Sequence, residues 1–238
     1  MPPQLMNILR ARNALSFYLL LSAGLSIAGN SVREEEIALC LPGEISTWGD
    51  GQDRHALSSP MVFVYRHALA PPWFERSLVL DSLVKAASAW SQCGIEAKVE
   101  QLAEGVPVPV GVILVEWSDE GSRRNFGLAN LGRKTVSLGP SAFQLLQTRN
   151  PAFDSRQTLQ MVISHEMGHL FGVMAHSRRC VDVTSYYDNG KGVKCSIRGG
   201  EELKPGIEYR ALLPTTCDIQ RCRAANGLSN IGLQLNRR

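Results

Sequence analysis

The sequence has little net charge and few histidines, and both features narrow the possible functions. Its 238 residues carry a formal net charge of +3, which becomes +1 if Arg10 and Arg12 are removed with a leader segment. This balance gives no support for binding to nucleic acid or to a membrane surface. The sequence also lacks internal repeats, low-complexity segments and the close C-x-x-C spacing of zinc-binding cysteines. Candidate functional residues must therefore be sought in short local motifs.

Long apolar runs of membrane-spanning length are missing near the N-terminus. Residues 14–27 are apolar, but a membrane span needs about 20 such residues. Arg10 and Arg12 precede this stretch, and Ser26-Ile27-Ala28 is typical of a small-residue cleavage site. The pattern predicts a secretory signal peptide over residues 1–28, with a retained signal anchor as the alternative. We expect a secreted protein, extracellular or periplasmic, with no membrane association after the signal is removed.

Three of the five histidines fall between positions 165 and 176, and two of them belong to the pentapeptide His165-Glu166-Met167-Gly168-His169. Residues four apart on a helix share one face, so both imidazoles can bind a single Zn²⁺. Glu166 can reach a zinc-bound water without occupying a coordination position. The spacing predicts a catalytic zinc site with Zn²⁺ as cofactor, His165 and His169 as ligands and Glu166 as general base. A third ligand has to come from further along the chain.

The stretch from His165 to His176 resembles the metzincin signature H-E-x-x-H-x-x-G-x-x-H. Gly172 stands at the glycine position, where the helix can end in a left-handed conformation. Ala175 occupies the position of the third histidine, and His176 follows one residue later. The segment Asp182-Val183-Thr184-Ser185-Tyr186-Tyr187 then resembles the Met-turn of that clan, with Thr184 in place of methionine. Tyr186 matches the tyrosine that stabilises the oxyanion in some metzincins, which implies a catalytic role.

Two residues compete for the third zinc position. His176 supplies an imidazole and completes a three-histidine set, and the freedom at Gly172 lets the chain absorb one extra residue. Asp182 would be a carboxylate ligand of the kind that some short zincins use, or a structural residue beside the Met-turn. We favour His176.

The resemblance implies an α+β fold of the metzincin-like zincin type, with a mixed twisted sheet, an active-site helix above the cleft and a small irregular C-terminal subdomain that ends in a helix. The sequence supports this order with strands, helices and a final helix at the following positions: a strand over 61–65, a helix over 75–92, strands over 95–99 and 108–117, an antiparallel edge strand over 135–138, the zinc helix, and a last helix from about 214. We divide the chain into the signal peptide, an N-terminal extension over 29–58 and a catalytic domain over 59–238.

The family resemblance is closest to the matrixins, although no second histidine set for a structural zinc is visible. His55 and His67 lie outside the region where such ligands fall, and we interpret them as ordinary histidines.

Six cysteines in a secreted chain predict three disulfides. Local pairing favours Cys180–Cys195 and Cys217–Cys222, which leaves Cys40–Cys93. In the alternative, Cys40 is an inhibitory thiolate bound to zinc in a latent form, and five cysteines remain.

Together these features predict a secreted, monomeric zinc-dependent endopeptidase that acts on a protein or peptide substrate. The alternative is a catalytically weak or inactive metzincin-fold protein with a role in binding or secretion. The sequence gives no preference for a particular substrate, because residues 188–210, which follow the Met-turn, carry no readable pattern.

Overall fold

The architecture is taken from a computed structural model that describes residues 28–204 and 206–228. Over these residues the chain is α+β, with five helices and five strands. In chain order they are α1 (Ala28–Ala38), β1 (Met61–Tyr65), α2 (Arg76–Ser91), β2 (Ala97–Gln101), β3 (Ile113–Trp117), β4 (Gly127–Asn130), β5 (Thr135–Leu138), α3 (Pro140–Arg149), α4 (Ser155–Leu170) and α5 (Thr216–Ala225). Residues 1–27 of the predicted signal peptide lie outside this part of the chain. None of the helices described is long and apolar enough to cross a membrane.

The strands form one mixed sheet in the order β2-β1-β3-β5-β4. Neighbouring strands are parallel from β2 through β5, and β4 alone is antiparallel to its neighbour. Strands β1 and β3 are apolar along most of their length and almost fully buried, as expected for the centre of a parallel sheet.

The antiparallel edge strand is β4, so the prediction that residues 135–138 occupy this position is wrong. Thr135–Leu138 is β5, an interior strand with β3 on one side and β4 on the other. Val136 and Leu138 are fully buried as a result. The edge strand Gly127–Asn130 is short and contains a single large apolar residue, so its sequence carries little strand signal.

Helix α4 packs against α2 and holds the predicted zinc motif. Asp154 caps its N-terminus by accepting two backbone N–H groups of the first turn, which stabilises the start of the helix. Every residue from Leu159 to Gly168 is buried. Trp90 of α2 donates its indole N–H to the carbonyl of Ser164 at 2.8 Å. The motif therefore lies on a rigid, buried helix.

Residues 40–57, which we call the N-terminal arm, run along the loop that follows α4. The backbone N–H groups of Arg54 and Leu57 donate to the carbonyls of Gly172 and Leu170, each at 2.9 Å. The arm thus packs directly beside the end of the zinc-motif helix.

Of the three disulfides formed by the six cysteines, one matches the sequence prediction. Cys180–Cys195 is confirmed. Cys217–Cys222 and Cys40–Cys93 are wrong, because Cys40 pairs with Cys217 and Cys93 with Cys222. Cys217 and Cys222 both lie on α5, where five residues correspond to a rotation of about 140°, so their side chains point in different directions. The pairing also leaves no free Cys40 thiolate to act as an inhibitory metal ligand.

Candidate metal centre

Helix α4 and the loop after it bring three histidine rings together. His165 and His169 lie one turn apart on the same face of α4. The chain then reverses at Gly172, whose φ of 101° favours glycine. A Cβ at this position would lie 1.9 Å from the carbonyl oxygen of Arg54. His176 returns to the helix, and each pair of the three ring centroids is 5.1 Å apart.

The ring nitrogens that face one another have the spacing of metal ligands. The Nε2 atoms of His165 and His176 are 3.2 Å apart, and one ligand atom from each of the three histidines lies within 4.8 Å of the others. Two ligands at about 2.0–2.1 Å from a tetrahedral zinc would be separated by about 3.3 Å. The His165–His176 pair therefore has the spacing of two zinc ligands, and His169 lies close enough to join them in holding a metal ion.

Each histidine also has an acceptor for its outer nitrogen. The Nδ1 atoms of His165 and His169 lie 2.8 and 2.9 Å from the carbonyl oxygens of Val183 and Val173. Nδ1 of His176 lies 2.7 Å from Oδ2 of Asp50. Protonation of all three Nδ1 atoms satisfies these acceptors and leaves the lone pair of each ring on Nε2, where it is available to a metal. Two inward lone pairs at 3.2 Å cannot hydrogen-bond to each other, but they can share a cation.

The environment also keeps the imidazoles neutral. Burial lowers the pKa of His165 well below its ordinary value, and the neighbouring histidines lower it further. Burial lowers the pKa of His169 to about 4. For His176, burial also lowers the pKa, although the hydrogen bond to Asp50 partly opposes this effect. Neutral imidazoles are the form that binds a metal.

The structure brings His176, and not Asp182, to the other two histidines. Asp182 is 1% exposed, and its carboxylate accepts hydrogen bonds from Ser177, Arg179 and Thr215 at 2.6–2.8 Å. All of its nearest partners are structural, which leaves His176 as the third member of the cluster.

Glu166 lies in the same cleft and is held by the edge strand. Its Oε2 accepts the backbone N–H of Ala129 in β4 at 2.7 Å. A Cβ at Gly127 would lie 2.8 Å from the Cγ of Glu166, so glycine lets β4 approach α4 closely. Burial raises the pKa of Glu166 to about 7, against the opposing effect of the Ala129 hydrogen bond. A carboxylate with this pKa can both accept and release a proton near neutral pH.

Thr184 lies beneath the motif, where the Met-turn resemblance places a methionine. It is fully buried, and its methyl group would lie 3.2 Å from a Cβ at Gly168. Its hydroxyl donates to Asp218 of α5 at 2.6 Å. The floor of the site is therefore a threonine that is hydrogen-bonded to α5 rather than a flexible apolar side chain.

Tyr186 stacks on the third histidine. Its ring centroid lies 3.6 Å from that of His176 with an interplanar angle of 15°. Tyr186 is 44% exposed and lines the cleft, whose volume is about 800 Å³. Tyr186 can thus support His176 from one side while its hydroxyl remains close to the site.

Several residues of the site are not predicted from the sequence. Asp50 and Ala129 contact the motif from positions far away in the chain. Arg210 lines the cleft beside His165, with its guanidinium held by Glu208 through hydrogen bonds of 2.7–2.8 Å. No local spacing connects these residues to the histidine motif, so only a long-range pairing signal could have found them.

Other candidate residues lie away from the cluster. His67 hydrogen-bonds to the hydroxyl of Tyr65 at 2.6 Å, as expected for an ordinary histidine. Cys40, Glu44 and Cys217 also lie close together, but the two sulfurs are joined in a disulfide and cannot act as thiolate ligands.

Comparison with known proteins adds little to this geometry. No protein-family model matches the chain, and no curated protein matches its sequence. Among solved structures, a chain from the GM1 bound form of the ECX AB5 holotoxin is similar at a TM-score of 0.38 and 14% sequence identity, over 74% of this chain and 86% of that chain.

Proposed function

We propose that this protein is a secreted zinc-dependent endopeptidase with a metzincin-like fold. The observation that supports the proposal most strongly is the convergence of three histidine rings, each of which has an acceptor for its Nδ1. The buried carboxylate of Glu166 beside this cluster is the second support. A protein that only binds a partner has no chemical need for this combination.

His165, His169 and His176 would hold the zinc ion through Nε2. Bound zinc supplies a Lewis acid that lowers the pKa of a coordinated water to about 7 and polarises the scissile carbonyl. Three neutral imidazoles with one open position are a ligand set of known catalytic zinc sites.

Glu166 would act as the general base and then as the general acid. The Ala129 N–H fixes Oε2, which leaves Oε1 to accept a proton from the attacking water. The carboxyl group then donates this proton to the leaving amine nitrogen as the peptide bond breaks. The Tyr186 hydroxyl would donate a hydrogen bond to the oxyanion that forms during attack.

Strand β4 would align the substrate. The N–H of Ala129 points towards Glu166, away from β5, so the backbone groups of Gly127 and Ala129 face the cleft. Because Glu166 already accepts the Ala129 N–H, an extended peptide would pair with the other main-chain groups on this edge. This arrangement favours a protein or peptide substrate that binds in extended form.

Three disulfides support a location in an oxidising compartment, extracellular or periplasmic. They agree with the signal peptide proposed from the sequence.

The proposal is tested by hydrolysis of casein or gelatin with Glu166→Gln. This variant should bind zinc like the parent protein, because Glu166 is not a ligand, and should lose at least about a hundredfold in activity. A chelator should abolish the activity of the parent, and added Zn²⁺ should restore it.

Glu75→Gln is a suitable control, since it removes the same charge at the exposed start of α2. Hydrolysis should be unchanged in this variant. If the parent binds no zinc, or if Glu166→Gln hydrolyses casein at the parent rate, the proposed function is wrong.

A further inference from the structure

We propose that Asp50 of the N-terminal arm is a positioning residue that fixes the tautomer and orientation of the His176 imidazole and thereby strengthens zinc binding. This inference rests on the proposed function, since it gives a role to a residue that acts through one of the three ligands.

The two oxygens of Asp50 match two donors of one residue. Oδ1 accepts the backbone N–H of His176 at 2.9 Å, and Oδ2 lies 2.7 Å from Nδ1 of its ring. A carboxylate can only accept, so it requires a proton on Nδ1. The lone pair of His176 must then be on Nε2, the atom that faces His165.

His176 differs from the other two histidines in its need for such a partner. His165 and His169 are oriented by helix α4, and their Nδ1 atoms face neutral carbonyl groups. His176 lies in the loop after Gly172, outside any helix. Asp50 is the charged acceptor among the three, and a carboxylate partner also increases the basicity of a ligating imidazole.

Contacts between the arm and the loop hold Asp50 in place. The backbone N–H of Trp48 donates to the carbonyl of His176 at 3.0 Å. Asp53 accepts the N–H groups of Met174 and Ala175 at 2.8 and 3.0 Å. Arg221 of α5 binds the Asp53 carboxylate at 2.8–3.1 Å and so fixes the arm to that helix. The loop and the arm are thus joined on both sides of the Asp50–His176 pair.

Asp50→Asn is the most informative substitution because it preserves shape. Asparagine offers one acceptor oxygen, which can satisfy one of the two donors of His176. Its NH₂ group then faces the other donor, and if it faces the ring it favours a lone pair on Nδ1 and a proton on Nε2. That tautomer cannot bind the metal through Nε2.

Zinc affinity of the full-length protein should be measured with Zn²⁺ alone, in competition with a chromogenic chelator and without substrate. We expect Asp50→Asn to bind zinc about 10–100-fold more weakly than the parent. Glu44→Gln is the matched control, because Glu44 lies on the same arm and bonds to Arg198 instead of a histidine. This control should bind zinc like the parent, and equal affinity of Asp50→Asn and the parent would overturn the inference.

A second measurement decides the matter even if Asp50→Asn fails to fold. The ¹⁵N chemical shifts of the imidazoles in the zinc-free parent should show His176 protonated at Nδ1 and not at Nε2. The opposite tautomer would overturn the role of Asp50. If the parent binds no zinc, the proposed function fails, and the tautomer still tests the Asp50 contact independently.

Discussion

The candidate metal centre takes two histidines from helix α4 and one from the loop after it, and these two regions hold their histidines in different ways. His165 and His169 lie four residues apart on a buried helix, which places both rings on the same face. His176 is positioned by Asp50, which is 126 residues away in the sequence, and by the stacked ring of Tyr186. One half of the site is therefore local in sequence, and the other half depends on the closure of a long loop.

This difference indicates which part of the site is more sensitive to substitutions. The helix-borne half shares the stability of the core, because α4 is buried along most of its length. The loop-borne half depends on an arm that is anchored by Cys40–Cys217 and by the Asp53–Arg221 ion pair. Changes to the arm should disturb His176 while leaving α4 in place.

The largest effect is expected from removal of the arm anchor. The double substitution Cys40→Ser with Cys217→Ser should lower the free energy of unfolding by about 5 kcal/mol, because the bond joins residues that are 177 positions apart. Thermal or urea unfolding of the oxidised protein measures this change. The Cys180–Cys195 disulfide joins residues that are 15 positions apart. Its removal by Cys180→Ser with Cys195→Ser should lower the free energy of unfolding by about 3 kcal/mol. An arm variant as stable as the parent would show that the arm is held by other contacts.

The second prediction separates the loop ligand from its competitor. His176→Ala should weaken zinc binding by about 2.5–4 kcal/mol, if the roughly 10–16 kcal/mol of a four-ligand site is shared evenly. Asp182→Asn should retain zinc, because the carboxylate bonds only to structural partners, and should lower stability instead. Metal content after dialysis measures both outcomes. Zinc retained in His176→Ala and lost in Asp182→Asn would reverse the assignment.

The third prediction concerns the point where the arm meets the loop. Gly172→Ala should lower the free energy of unfolding by about 3 kcal/mol, because a left-handed alanine costs about 1–2 kcal/mol and its Cβ would overlap the carbonyl of Arg54. Gly190→Ala is the matched control, with a φ of 69° and open space around it. Gly190→Ala should lower the free energy of unfolding only by the cost of a left-handed alanine, about 1–2 kcal/mol. If both variants lose the same free energy of unfolding, the arm moves at residue 54 and relieves the overlap.

The smallest effect is expected at Tyr186. Tyr186→Phe keeps the ring that stacks on His176 and removes the hydroxyl. Zinc affinity should be unchanged, while kcat should fall about tenfold, as for the loss of one hydrogen bond to a developing charge. Steady-state kinetics on a peptide substrate provide the measurement. An unchanged kcat would limit Tyr186 to supporting the ring of His176.

Features that depend on local sequence were predicted most accurately. The apolar strand 61–65, helix α2 and the helix that carries His165 and His169 all follow from periodicity within a few residues. The break at Gly172 follows from the conformational freedom of glycine, and the structure has a positive φ there. The capped start of α5 also falls where the sequence predicts it.

Features that depend on distant partners were missed. The pairing of Cys40 with Cys217 could not be derived from spacing, because six cysteines allow 15 connectivities. The edge position of β4 depends on the order of strands in the sheet, which local propensity does not contain. Helix α3 was not predicted, since only Phe143 of its ten residues is buried and its apolar face is weak. Asp50 has no motif of its own and acquires its contact only when the arm folds back.

The bond between Cys40 and Cys217 imposes an order of events on the growing chain. The arm emerges from the ribosome well before its two anchors on α5, Cys217 and Arg221. Until then, His165 and His169 can already share a face of a helix, but His176 has no fixed partner in the arm. A chain that lacks α5 would therefore have two candidate ligands on one helix face and a third whose orientation is not fixed. The geometry of the site thus delays its completion until α5 has been made.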